Sequence, residues 1–199
     1  MNKKRGRPRN YDPEAALNAA LTVFWQHGFA GTSLDELSAA TGMNRPSLYA
    51  AFGDKKSLYR KSMDQFSQTF LGELEANLFA GLSLEEDLVN FYKAALSEYI
   101  TDSDTAWGCP VICTATLAAA YDDEIQSDLA HALDQIDTMF VKRFKQAQDE
   151  GELKSGESKK LAQLAAAVLH SLAIRTRAKQ KKFKPETFIK ASVAEILRG

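Results

Sequence analysis

Two patches of this sequence carry side chains with chemistry to offer. Near the N-terminus, Lys3, Lys4, Arg5, Arg7 and Arg9 are threaded by Gly6 and Pro8. Gly and Pro keep such a segment thin and extended, and arginine is drawn to the concentrated negative potential of a narrow nucleic-acid groove. A solubilising tail is the other reading, since nothing in this run can be buried. In mid-chain, Cys109 and Cys113 stand four apart, in a segment that opens Gly108–Cys109–Pro110. On a helix that spacing puts both thiols on one face. Paired thiolates hold a soft metal such as Cu(I), or react with oxidants and electrophiles. Small buried core residues are the alternative. Two ligands with no clear third are a thin metal site, so neither a metal nor a cofactor is expected.

Catalytic patterns are missing. His27, His131 and His170 are isolated in sequence. No Gly-rich phosphate loop, nucleophile elbow or HExxH occurs. Asp122–Asp123–Glu124 is a carboxylate run at a predicted helix start, where negative charge is favoured. The chain is therefore not read as an enzyme.

The elements that must position these residues are helical. Ser33 with Glu36 forms a capping box for a short helix through Leu34 and Leu37. Gly42 ends it in the left-handed conformation that glycine tolerates. Met43 can pin the turn, Pro46 suits a first helical position, and Phe52–Gly53 closes a second short helix. Two short helices around a glycine-containing turn make a helix-turn-helix. Before them, Asp12–Pro13 starts a helix whose Ala16, Leu17, Ala20, Leu21, Phe24 and Trp25 recur at helical spacing. After them, Asp54 caps a helix of about 25 residues, long enough to link a head to a body. Five more helices are expected, starting near Ser83, Cys109, Asp122, Leu161 and Pro185. That gives an all-α chain of about nine helices with no convincing strand and a polar loop at Thr101–Asp104.

Totals agree with this outline. The 199 residues are 45% hydrophobic and 26% charged, ordinary for a soluble globular chain. No apolar run approaches the roughly 20 residues of a membrane helix. The basic N-terminus lacks the apolar core of a signal peptide. Two cysteines fit a reducing compartment, so the expected location is the cytoplasm. The net charge of −1 conceals +5 over residues 1–61 and −6 over residues 62–199. One end alone is suited to a polyanion.

The segment GFAGTSLDELSAATGMNRPSLYAAFGDKKSLYRKSMDQF resembles the DNA-binding domain of TetR-family bacterial transcriptional regulators. Gly28, Thr32, Leu37–Ser38–Ala39, Gly42, Leu48–Tyr49 and Phe52–Gly53–Asp54–Lys55 carry the resemblance. Arg5–Gly6–Arg7–Pro8 is similar to an AT-hook, a minor-groove motif. The resemblance implies an arm at 1–10, a helix-turn-helix DNA-binding domain at 11–54, and a ligand-binding and dimerisation domain at 55–199. It further implies a homodimeric repressor released from a palindromic operator by a small-molecule or thiol-reactive inducer. A sequence-tolerant architectural DNA-binding protein is the alternative. By the same resemblance Asn44, Arg45, Pro46, Ser47 and Tyr49 match the reading face of the recognition helix, with Arg45 foremost. Thr32, Ser33 and Lys55 match helix starts that meet phosphate. Arg5, Arg7 and Arg9 would follow the groove.

For the body, Phe66, Phe70, Phe91, Tyr92, Trp107, Cys109, Cys113, Tyr121, Met139 and Phe140 are candidate walls of a ligand pocket, with plain core as the alternative. Leu164, Val168, Leu172, Val193 and Ile196 are candidates for a dimer interface, with closure of the monomer core as the alternative.

Overall fold

A computed structural model describes residues 11–101, 105–153 and 158–198. The arm residues Arg5, Arg7 and Arg9 lie outside the described residues. Nine helices are present among those described: α1 (Pro13–Gly31), α2 (Leu34–Thr41), α3 (Arg45–Phe52), α4 (Lys55–Leu78), α5 (Leu84–Tyr99), α6 (Pro110–Ala118), α7 (Asp123–Asp149), α8 (Ser158–Arg177) and α9 (Pro185–Arg198). Between α5 and α6, Ile100–Thr101 (β1) pairs antiparallel with Thr105–Ala106 (β2). Thr101, expected in a loop, thus belongs to a minimal ladder. None of the described helices is long and apolar enough to cross a membrane.

The caps explain the helix starts. Asp12, Ser33, Asp54, Ser83 and Asp122 each accept a first-turn backbone N–H, and Ser33 and Ser83 complete capping boxes with Glu36 and Glu86. The Ser33 and Glu36 pair holds the Glu36 carboxyl below the usual range. Gly28 breaks α1 at φ 72°, and Gly42 ends α2 at φ 65°, the latter as its placement in the sequence anticipated.

Two apolar clusters form, and α4 runs through both. In the first, Ala20 and Phe24 of α1, Leu37 of α2, Met43, Leu48 and Phe52 of α3 meet Leu58, Tyr59 and Met63 of α4. The second joins Phe70, Leu74 and Leu78 of α4 to α5, α7, α8 and α9. Phe66 packs against both clusters. The head's core therefore includes the first turns of α4, so a break between residues 54 and 55 would cut through it.

Sequence reading missed one polar feature of the second cluster. Arg143 is 2% exposed and pairs with Asp87, 1% exposed, at 3.0 Å. It also reaches Glu152 at 3.4 Å, whose other oxygen accepts from the Leu84 backbone N–H at 2.6 Å. A buried guanidinium persists where carboxylates compensate its lost hydration.

Candidate nucleic-acid interface and effector cleft

The turn between α2 and α3 is fixed from within. Met43 is buried beneath it, and the Asn44 side chain accepts from the Ser47 N–H at 2.9 Å. Asn44 is thus the cap of α3. Leu48 and Phe52 turn inward. That leaves Asn44, Arg45, Pro46, Ser47 and Tyr49 exposed on the opposite side, a contiguous polar face with one aromatic ring, 48% exposed. The guanidinium of Arg45 is not free: its Nε and Nη2 both donate to one oxygen of Asp35, at 3.0 and 2.5 Å.

The flanking positions divide. Ser33 is exposed at the start of α2, its hydroxyl engaged with Glu36. Thr32 is 3% exposed and donates to the Gly28 carbonyl at 2.8 Å, so its side chain closes the α1 kink and does not face outward. Lys55 is half-buried, its ammonium 4.9 Å above the Phe29 ring. Burial lowers its pKa, while the Glu36 carboxylate opposes that shift.

Lys56 and Arg60 tie α4 to the start of α7. Lys56 meets Asp122 at 3.2 Å and also contacts Glu124. Arg60 donates to both oxygens of Asp128 and to Glu124. A second tie joins the end of α8 to α1. Arg177 donates to the Trp25 and Trp107 carbonyls at 2.8 and 3.2 Å, and Trp25 Nε1 donates to the Trp107 carbonyl at 3.2 Å. Cations at a helix C-terminus satisfy carbonyls left without intrahelical partners.

The candidate pocket residues scatter. Phe91, Tyr92 and Phe140 are fully buried in a packed aromatic cluster, with Phe91 and Phe140 ring centroids 4.7 Å apart. Tyr92 donates to the Ala165 carbonyl at 2.9 Å. These three are solid core, because large rings at helical spacing fill space between helices more readily than they enclose it. Met139 packs against the same core. Tyr121 is 86% exposed beyond α6. Trp107 belongs to the Arg177 tie. Phe66 stacks on Phe70 at 5.1 Å, and Phe70 and Cys109 border a small void of about 40 Å³. Cys113 is half-buried beside Gly108, whose backbone lies so close to Ala173 that a Cβ would fall 2.3 Å from the Ala173 carbonyl oxygen. Burial pushes the Cys109 thiol up to about 12 and raises that of Cys113 as well.

A larger opening was not anticipated. A cleft of about 380 Å³ lies between α4, α6 and α7, with Tyr59, Met63, Val111 and Leu129 among its apolar walls and Arg60, Asp128 and His131 among its polar ones. Its volume suits a small ligand. No periodicity in one helix could reveal it, since it arises from the separation of three.

The dimer candidates also divide. Leu172, Val193 and Ile196 are buried within the monomer and close its core. Leu164, 48% exposed, and half-buried Val168 face outward on α8, and Ile174 at 55% extends that face.

Residues 16–61 match the family model described as bacterial regulatory proteins, tetR family. Over those residues the chain is similar to the DNA-binding domain of TetR-family regulators. Among curated relatives, the chain is 38% identical to the HTH-type transcriptional repressor ComR of Escherichia coli over 129 residues, 65% of this chain and 61% of ComR. It is 27% identical to the uncharacterised regulator YezE of Bacillus subtilis over 80% of this chain and 81% of YezE. The chain thus spans about three fifths of ComR's length. A solved structure of a cysteine mutant of the TetR-family regulator CifR, complexed with 26-bp double-strand operator DNA, superposes with a TM-score of 0.84. It is 26% identical and covers 97% of this chain and 99% of that one. The reduced form of Escherichia coli NemR shares the fold at a TM-score of 0.78 and 18% identity.

Proposed function

We propose that this chain is a TetR-family transcriptional repressor, not an enzyme, acting in the cytoplasm as a homodimer on a palindromic operator and released by a small molecule. The exposed face Asn44–Ser47 with Tyr49, on a helix whose other side is buried, carries this reading. Recognition helices read base edges from their N-terminal residues in the major groove. Arg45 is the base reader, Tyr49 and Ser33 reach the backbone, and the 1–10 arm follows an adjacent groove. The helix-turn-helix head at 11–54 is completed by the first turns of the body at 55–199. The described operator complex of CifR and the name of ComR as a repressor agree with this assignment.

The cleft between α4, α6 and α7 is the inducer site in this proposal. A ligand there presses on α4, which carries the head at one end and the body core at the other. Displacing α4 from α7 changes the spacing of two heads, and binding to two half-sites depends on spacing. A thiol-reactive inducer fits less well, because burial disfavours both thiolates. The dimer forms through the outward face of α8, Leu164, Val168 and Ile174, with α9 beside it.

Operator selection from random duplexes with the purified protein, followed by a compound screen for release, tests the proposal. The expected result is one palindrome preferred by about 10³-fold or more over random DNA, and at least one compound that abolishes that preference. Near-equal binding to all sequences would instead establish the architectural alternative.

A further inference from the structure

The geometry points to Asp35 as a specificity-determining positioning residue: it holds the Arg45 guanidinium in a fixed orientation for reading a guanine. This inference rests on the reading of α3 as the recognition helix. Asp35 lies in the first turn of α2 and Arg45 at the start of α3, ten positions on. A single Asp35 oxygen accepts from both Nε and Nη2. The contact therefore consumes one edge of the planar guanidinium and fixes its plane. The Nη1 side remains, and Nη2 keeps a second hydrogen. That is the pair of parallel donors that guanine O6 and N7 accept.

Asp35 is 78% exposed and Arg45 53% exposed, so the pair is too solvated to matter much for stability. Its consequence is orientation. A free arginine on this face has phosphates within reach of its long side chain, and a phosphate contact carries no sequence information. A carboxylate repels phosphate and so lowers affinity for all DNA. Asp35 thus raises discrimination at one base pair while reducing sequence-independent binding.

Binding-site selection and competition binding on the full chain test this with Asp35→Ala, Asp35→Asn, Arg45→Ala and the Asp35→Ala/Arg45→Ala double variant. Asp35→Ala should lower the guanine preference about tenfold at the base pair where Arg45→Ala abolishes it, within the range of a bidentate contact. Random-sequence affinity should hold or rise. Asp35→Asn keeps an acceptor without the charge and should fall between wild type and Asp35→Ala. The double variant should show the same loss of guanine preference as Arg45→Ala, because the carboxylate affects base discrimination only through the arginine. A full guanine preference in Asp35→Ala, with or without tighter operator binding, would overturn the inference. Equal weakening on operator and random DNA would overturn it too, by showing a role in folding or affinity. If Arg45→Ala itself kept the preference, the base-reading role of Arg45 would fail first, separately from that of Asp35.

Discussion

At the residue scale, burial decides what each polar group can do. Arg143 and Asp87 are almost wholly excluded from water and compensate each other. Asp87→Ala leaves the guanidinium buried with only the more distant Glu152 opposite it. Removing one partner of such a pair costs about 3–5 kcal/mol, and urea denaturation should show a loss of that size. The same substitution at Asp128, whose contact with Arg60 is solvated, should cost roughly 1 kcal/mol or less. The thiols obey the same rule in the other direction. Burial raises both thiol pKa values, so the thiolate fraction at neutral pH lies below that of a free cysteine. Alkylation of the native protein at pH 7 should be much slower than of the urea-unfolded chain. It should accelerate as pH rises toward 9, with Cys113 ahead of Cys109; equal rates in native and unfolded protein would contradict the burial argument. Sequence spacing put the two cysteines near each other, but exposure, which sets reactivity, was not legible there.

At the element scale, α4 is the member that connects the two apolar clusters. Its length and stripe were readable from Asp54 onward because the cap and the helical period are local. Its ties were not. Lys56 and Arg60 meet carboxylates more than 60 positions away, and Arg177 reaches Trp25 across 152 positions. Trp25 and Trp107, the two tryptophans of the chain, both lie at the Arg177 junction, with ring centroids 5.4 Å apart. Intrinsic tryptophan fluorescence therefore reports this junction alone. Saturating the protein with operator DNA should shift the emission; unchanged emission would show that the junction stays fixed on binding. Arg177→Met removes a charged donor from three carbonyls, those of Trp25, Gln26 and Trp107, and should cost about 1.5–3 kcal/mol, read as a lower denaturation midpoint.

At the scale of the whole molecule, the helices of the body share their apolar residues between interior and surface. Leu172, Val193 and Ile196 close the monomer core, whereas Leu164 and Ile174 are left outside it. An apolar face of that kind, left outside the core, is suited to a second copy. Leu164→Glu with Ile174→Glu should give a folded monomer by sedimentation velocity, with operator affinity reduced at least tenfold. Leu172→Glu should instead unfold the chain, because that position is buried within one subunit. A dimer that survived the double substitution would place the interface elsewhere.

By itself the sequence determined the all-helical class, most of the caps and the helix-turn-helix. Those follow from short-range rules: capping residues, helical periodicity and glycine at positive φ. The tertiary structure alone decided which apolar stripe faces inward, where the cleft opens, and which charges are paired across the chain. These depend on how helices distant in sequence approach one another, and a periodic stripe is equally satisfied by a core, a cavity wall or a partner. The contact between Asp35 and Arg45 belongs to that second group, since only the turn between α2 and α3 brings these residues, ten positions apart, together.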